Sequence, residues 1–274
     1  METKQNSKGK RFFAQAIAAG LMLAMAFTLN ACGGDGGGGG GGDDTTASSS
    51  SGNGNPSSSS STSSSSSVNY TDKGNDIASY RTVTIGTQVW MAENLNFNAD
   101  GSRCYGNDEY NCSTYGRLYD WATAMGFDAT CNSSYCADQV EIPHQGVCPS
   151  GWHIPSDADW DALIAFIHAD KGLGSFTTGR SDYAGKYLKA TSGWYNCGSS
   201  GSGNSYLCED TYGFSALPGG SGLSSNSFSI GDGRWWSSSE YDSNYAYGRL
   251  MEYNGVNAGW DDKSVLYSVR CLQD

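Results

Sequence analysis

One segment of the chain carries a clear helical period. Trp160, Leu163, Ile164 and Ile167 recur at i, i+3, i+4 and i+7, while Asp157, Asp161 and Asp170 fall off that face. Ser156 follows Pro155 and can accept from the free N–H groups of a first helical turn, and Asp159 suits the positive end of the helix dipole. Gly172 supplies a left-handed stop, with Lys171 beside it at the negative end. The pattern predicts a helix of about four turns. Its face belongs to a core, and Asp157, Asp159 and Asp161 read as a solvated start.

Elsewhere the apolar positions come in short, β-branched or aromatic runs. Residues 82–91 (TVTIGTQVWM) read as two strands about a turn at Gly86. Residues 116–125 (GRLYDWATAM) suit a short helix burying Leu118, Trp121 and Met125, and 183–190 suit another. Asp108 and Glu109 read as loop, as do residues 128–145. GFSALPGG at 213–220 reads as a strand entering a tight turn. From Arg234 onward the pattern is β, with Asn254-Gly255 as a hairpin turn. Trp152, Trp160, Trp235 and Trp260 are expected in the core.

The beginning of the chain changes the picture of where this domain resides. Lys4, Lys8, Lys10 and Arg11 precede an apolar run over 12–29, the pattern of an export signal. The run ends Leu29-Asn30-Ala31-Cys32, which resembles the lipobox of bacterial lipoproteins, in which the cysteine is acylated, as with palmitate, and becomes the first mature residue. Residues 1–31 are therefore expected as a lipoprotein signal peptide. Residues 32–67 follow as the lipidated Cys32 and a disordered tether of Gly, Ser, Asp, Thr and Asn, with an r.m.s. reach of roughly 30–35 Å. Residues 68–274 have the length and aromatic content of one folded domain. The expected location is the cell envelope, at the outer membrane or cell surface. The net charge of −12 becomes more negative once the basic leader is removed, which argues against nucleic acid and anionic headgroups as partners.

Nine cysteines leave an even eight once Cys32 is assigned to lipid, and in an exported chain disulfides are the default. Eight cysteines allow 105 pairings. Three close pairs suggest local staples, Cys104–Cys112, Cys131–Cys136 and Cys197–Cys208, leaving Cys148 and Cys271 for one another.

The succession VTIGTQVWMAENLN, YGRLYDWATAM, CPSGWHIPSDADWDAL, GFSALPGG, WWSSSE and YSVRC resembles the Fibrobacter succinogenes major paralogous domain, a family of exported, often lipid-anchored proteins without a defined activity. GWHIPSDADWDAL with a terminal SVRC is more distantly similar to the formylglycine-generating enzymes, a variant of the C-type lectin-like fold. That resemblance implies an α+β domain with a twisted antiparallel sheet, one or two helices and long disulfide-stapled loops. A Cys148–Cys271 bridge would suit it.

Catalysis of the kind these enzymes perform is not expected, because the sequence departs from their sites. The copper cysteines of the formylglycine-generating enzymes have no counterpart between Trp235 and Leu250, and His144, His153 and His168 are too few and too scattered for the iron of the related sulfoxide synthases. Carboxylates are too numerous to single out a glycosidase pair. Trp260-Asp261-Asp262 resembles the calcium motif of sugar-binding lectins, which makes Asp261 and Asp262 candidate calcium ligands, although the companion motif is missing around Pro218. No other cofactor is expected. The expectation is a membrane-anchored binding domain for a polysaccharide or a surface protein, using Trp194, Tyr195 and Tyr245. The alternatives are a structural or assembly protein of the envelope without a small ligand and, third, a carbohydrate-active enzyme.

Overall fold

A computed structural model describes residues 10–11, 73–195, 197 and 207–274. Apart from Lys10–Arg11, the expected leader, Cys32 and the tether lie outside the described residues. The domain is α+β. Strands β1 (Thr82–Ile85) and β2 (Gln88–Met91) form the expected hairpin, with Gly86 at a φ of +60°. Next come helix α1 (Glu109–Tyr115), β3 (Leu118–Tyr119), α2 (Trp121–Met125), β4 (Trp152–His153), α3 (Asp157–Lys171), β5 (Arg180–Ser181) and α4 (Gly185–Leu188). The strands β6 (Ser221–Gly222), β7 (Phe228–Ser229), β8 (Gly233–Glu240), β9 (Tyr245–Glu252), β10 (Gly255–Asp262), β11 (Tyr267–Ser268) and β12 (Leu272–Gln273) complete the chain.

The main sheet runs β10-β9-β8-β11-β3, with β5 also on β10 and Lys10–Arg11 parallel to Gly259 and Trp260. A second sheet, β1-β2-β12-β4, brings the end of the chain between the first hairpin and the strand before α3. Adjacent residues Trp235 and Trp236 point to opposite faces of β8, as strand geometry requires, and both are fully buried. Trp235 packs with Trp160, Leu163, Ile164 and Ile167 of α3; Trp236 packs with Tyr119, Trp121 and Tyr267. The central strands therefore have a core on each side.

Helix α3 has the capping box read from Ser156 and Asp159 and the left-handed stop at Gly172. Its acidic start is not merely solvated. Asp157 and Asp161 hold the buried Arg249 of β9, and Asp159 accepts from Ser156 while lying 3.7 Å from His153. Other expectations are corrected locally. Asp108 caps α1 instead of sitting in loop, because its carboxylate accepts from the Tyr110 N–H. In 116–125 the helix begins only at Trp121, capped by Asp120, since Leu118 and Tyr119 pair with β11. GFSALPGG forms a single parallel bridge, Lys189 with Ala216, and no strand of its own. The hairpin turn is Tyr253-Asn254, one residue earlier than expected. Glu252 pairs with Gly255, and Tyr253 takes the left-handed φ of 46°.

The motifs converge on a buried polar hub. Asn94 Oδ1 accepts from Arg270 Nε (3.1 Å), Arg270 Nη2 (2.7 Å) and Trp235 Nε1 (2.8 Å), while its Nδ2 donates to the Tyr115 carbonyl (2.8 Å) and Ser268 Oγ (3.3 Å). Arg270 also donates to the Phe214 carbonyl and lies 4.3 Å from the Phe214 ring centroid. Burial pulls its pKa down to about 9. Gly116, at φ +75°, and Gly219 have no room to spare beside this hub; a Cβ on Gly116 would come within 2.8 Å of Asn94 Cβ.

Four disulfides are present among the described residues: Cys104–Cys112, Cys131–Cys136 and Cys197–Cys208, the short-range pairs expected from spacing, and Cys148–Cys271, the pair left over. Cys148–Cys271 joins residues 123 apart and ties the approach to α3 to the last strand, whereas the others close short loops. Replacing Cys148 and Cys271 by Ala is expected to cost about 2–5 kcal/mol in urea unfolding, and replacing Cys131 and Cys136 less, because the longer loop restricts the unfolded chain more. Equal losses would contradict this order.

His153 donates to Asp274 at 2.8 Å and faces Asp159. Burial opposes its charge, but the two carboxylates prevail and raise its pKa above 6.5. A raised folded pKa means that its stabilisation is complete below the unfolded pKa and is lost as the pH rises through the folded value. The urea midpoint should therefore fall as the pH rises from about 6 towards 8, and His153→Gln should flatten that slope. A midpoint of the parent protein that is level across this range would reject the assignment.

Candidate aromatic binding face

Tyr245, Tyr247, Arg249 and Met251 alternate along β9 and share one face with Val256, Ala258, Trp260 and Asp262 of β10; Tyr247 lies opposite Trp260. Helix α3 ends this row at Arg249, whose guanidinium reaches Asp157 and, at 3.0 Å, Asp161 Oδ1. Burial pushes the Asp157 carboxyl up against the opposing effect of Arg249. Arg249, Met251 and Val256 of this face are buried; Ala258, Tyr245, Tyr247 and Trp260 are half-buried.

Tyr241, just after β8, folds over this uncovered end. Its ring is parallel to that of Trp260, at an interplanar angle of 7° and a centroid distance of 5.0 Å, and 41% of the residue is exposed. Tyr247 meets Tyr241 edge-on at 5.5 Å, and Tyr245 meets Trp260 edge-on at 4.9 Å. The turn carrying Tyr241 is held by its own backbone. Tyr241 and Asp242 N–H groups donate to the Tyr245 carbonyl, while Asp242 Oδ1 accepts from the N–H groups of Asn244 and Tyr245.

Beneath it lies a fully buried ion pair, Lys263 with Glu240. Lys263 Nζ also donates to the carbonyls of Cys131 (3.1 Å), Ser134 (3.0 Å) and Ser243 (3.1 Å), and Glu240 accepts from the Cys136 N–H at 3.0 Å. One cation thus fastens the Cys131–Cys136 loop, the end of β8 and the aromatic turn together.

The expected ligand-binding residues do not gather in one place. Trp194 belongs to the core, 9% exposed, donating from Nε1 to the Ala216 carbonyl at 2.9 Å beneath the Lys189 ammonium. Tyr195 is 90% exposed on a different loop. Tyr245 does lie on the aromatic face. Trp260, expected in the core, lies there as well, while Trp152, Trp160 and Trp235 are buried as expected.

The candidate calcium residues Asp261 and Asp262 make separate hydrogen bonds. As successive strand residues they face opposite sides; Asp261 turns inward to accept from Tyr267 Oη at 2.6 Å, and Asp262 accepts from Ser264 N and Oγ at 2.9 and 2.7 Å. Burial pushes the Asp261 carboxyl up. Cys104, Glu109 and Cys112 also come together, but both sulfurs belong to one disulfide. Sequence reading missed Tyr241, Tyr247 and the exposure of Trp260. The alternation of Tyr245 and Tyr247 about Ala246 was the available signal, but only the hairpin register places Trp260 beside them.

The Fibrobacter succinogenes major domain matches residues 83–273, and the chain belongs to that family. No curated protein and no solved structure matches the chain.

Lys263→Met would leave the Glu240 carboxylate buried without its cation, at an expected cost of about 3–5 kcal/mol in urea unfolding. The double change Lys263→Met with Glu240→Leu should recover only part of that loss, because the Cys131, Ser134 and Ser243 carbonyls and the Cys136 N–H stay without their partners. A single-variant loss below about 1 kcal/mol would show that the pair does not hold this end of the sheet.

Proposed function

We propose that this is an exported envelope protein, acylated on Cys32 and displayed at the outer membrane or cell surface, that presents a non-catalytic binding domain on a Gly/Ser tether. Its ligand would be a polysaccharide or a cell-surface partner. The observation that carries this reading is the rigid, partly exposed group of Tyr241, Tyr245, Tyr247 and Trp260 at the uncovered end of the sheet. A protein with only a structural role has no evident need to hold four large rings at its surface in fixed orientations.

The C-type lectin-like reading of the fold is supported by the bridge from the segment before α3 to the last strand and by the two-faced central sheet. The non-catalytic reading is supported by the occupation of the prominent carboxylates: Asp157 and Asp161 by Arg249, Asp159 by the helix cap, Asp261 by Tyr267. On this reading the domain needs no cofactor.

Cys32→Ser should block acylation, leaving the protein as an uncleaved precursor or in soluble form. Fractionation of cells fed a labelled fatty acid checks this. Label and membrane association that survive the substitution in a processed chain would remove the lipid-anchor reading.

A further inference from the structure

The aromatic face has a chemistry of its own that narrows the ligand, provided that the binding-domain reading holds. Four rings offer apolar faces and edges at one end of the sheet. Tyr241 is fixed twice, by its parallel contact with Trp260 and by the backbone bonds of its turn, so its outward face is ordered before any ligand arrives. Ordering beforehand lowers the entropic cost of binding.

Around these rings stand short polar groups. The loop 242–244 and the loop 262–264 meet there, joined by the Lys263 N–H donating to the Asn244 carbonyl at 2.9 Å. They contribute Asp242, Asn244, Asp262 and Ser264 to the rim. Two cations near this rim turn away from it: Lys263 is consumed beneath the turn by Glu240, and Arg249 by Asp157 and Asp161.

We propose that Tyr241, with Tyr245 and Trp260 behind it, is the binding face for an uncharged pyranose chain. The C–H face of a sugar ring lies flat on the Tyr241 ring, and the ring hydroxyls meet the carboxylates and amide of the rim. A surface with aromatic faces and carboxylates, in a chain of net charge −12, repels polyuronates, nucleic acid and anionic lipid. An uncharged polyol suffers no such repulsion and supplies donors for Asp242 and Asp262. Lys10–Arg11 pair with Gly259 and Trp260 along the edge of β10, and removal of the leader, on the reading above, would take that pairing away.

The test uses the processed, full-length protein extracted from envelopes in detergent, with retention measured on insoluble cellulose and mannan, and on cross-linked pectate as the acidic counterpart. Retention on a neutral polymer and not on pectate is expected. Tyr241→Ala should weaken it by roughly tenfold or more, Tyr241→Phe should preserve it, and Tyr195→Ala should leave it unchanged. Circular dichroism confirms that each variant is folded. Retention lost in Tyr195→Ala but kept in Tyr241→Ala would overturn this site while leaving the binding-domain reading intact. Preference for pectate would overturn the ligand class. Failure of the parent protein to bind any polymer, with capture of a surface protein instead, would overturn the glycan assignment but not the role as a binding domain. Failure to bind either would overturn both.

Discussion

The fold depends on how the chain accommodates a fully buried guanidinium whose hydrogen bonds go to no carboxylate among the described residues. Arg270 is fully buried, and its hydrogen bonds go to Asn94 Oδ1 and main-chain carbonyls, while the carboxylates of Glu93 and Asp210 act on it only from a distance. Solvating a buried cation with dipoles works only if the dipoles are fixed in place, since an imperfect set leaves a large desolvation cost. Asn94 comes from the segment after the first hairpin, Tyr115 from the end of α1, Phe214 from the GFSALPGG segment, Trp235 from β8 and Arg270 from the end of the chain. The six sequence motifs that carry the family resemblance, dispersed over most of the domain, are in large part the pieces of this one hub. The remaining motif enters through Trp160, whose ring lies 4.8 Å from Trp90 and 6.3 Å from Trp235, and through Cys148, bridged to Cys271 beside Arg270.

A sheet with a core on both faces leaves little of itself for a ligand. Trp235 and Trp236 commit the middle of β8 to opposite cores, and α3 covers the face of β9 as far as Arg249. What α3 does not cover is the end where the half-buried Tyr245, Tyr247 and Trp260 lie, together with the loops around it. The helix start therefore has two roles. Its carboxylates neutralise Arg249, and the helix begins where the exposed aromatic row gives way to the core.

Local signals in the sequence were read where the responsible interaction is itself local. The cap and stop of α3, its apolar face, the hairpin about Gly86 and the short disulfides each depend on residues a few positions apart. Readings failed where a distant residue decides. Asp157 and Asp161 look solvated until Arg249, some ninety positions later, is placed against them. Asn254-Gly255 has the composition of a turn, yet pairing along β9 and β10 puts the turn one residue earlier, and Tyr253 accepts the left-handed conformation. Tryptophans are the hardest case, because a large ring suits a core or a surface equally well. Trp194 was expected outside and Trp260 inside; the structure buries Trp194 through the Ala216 carbonyl and leaves Trp260 half-buried in the register opposite Tyr247.

The buried Lys263–Glu240 pair follows a different logic from the hub. An ion pair taken out of water adds little net stability compared with an apolar pair of the same size, so its value lies in what it positions. Lys263 carries more donors than one carboxylate can use, and the surplus goes to carbonyls on the disulfide loop and on the aromatic turn. No apolar side chain could make those bonds. The polar core at this end of the sheet thus fixes the loop geometry above it, and that geometry sets the Tyr241 ring parallel to Trp260. A rigid aromatic face on otherwise loop-built ground is what such a pair can provide and hydrophobic packing alone cannot.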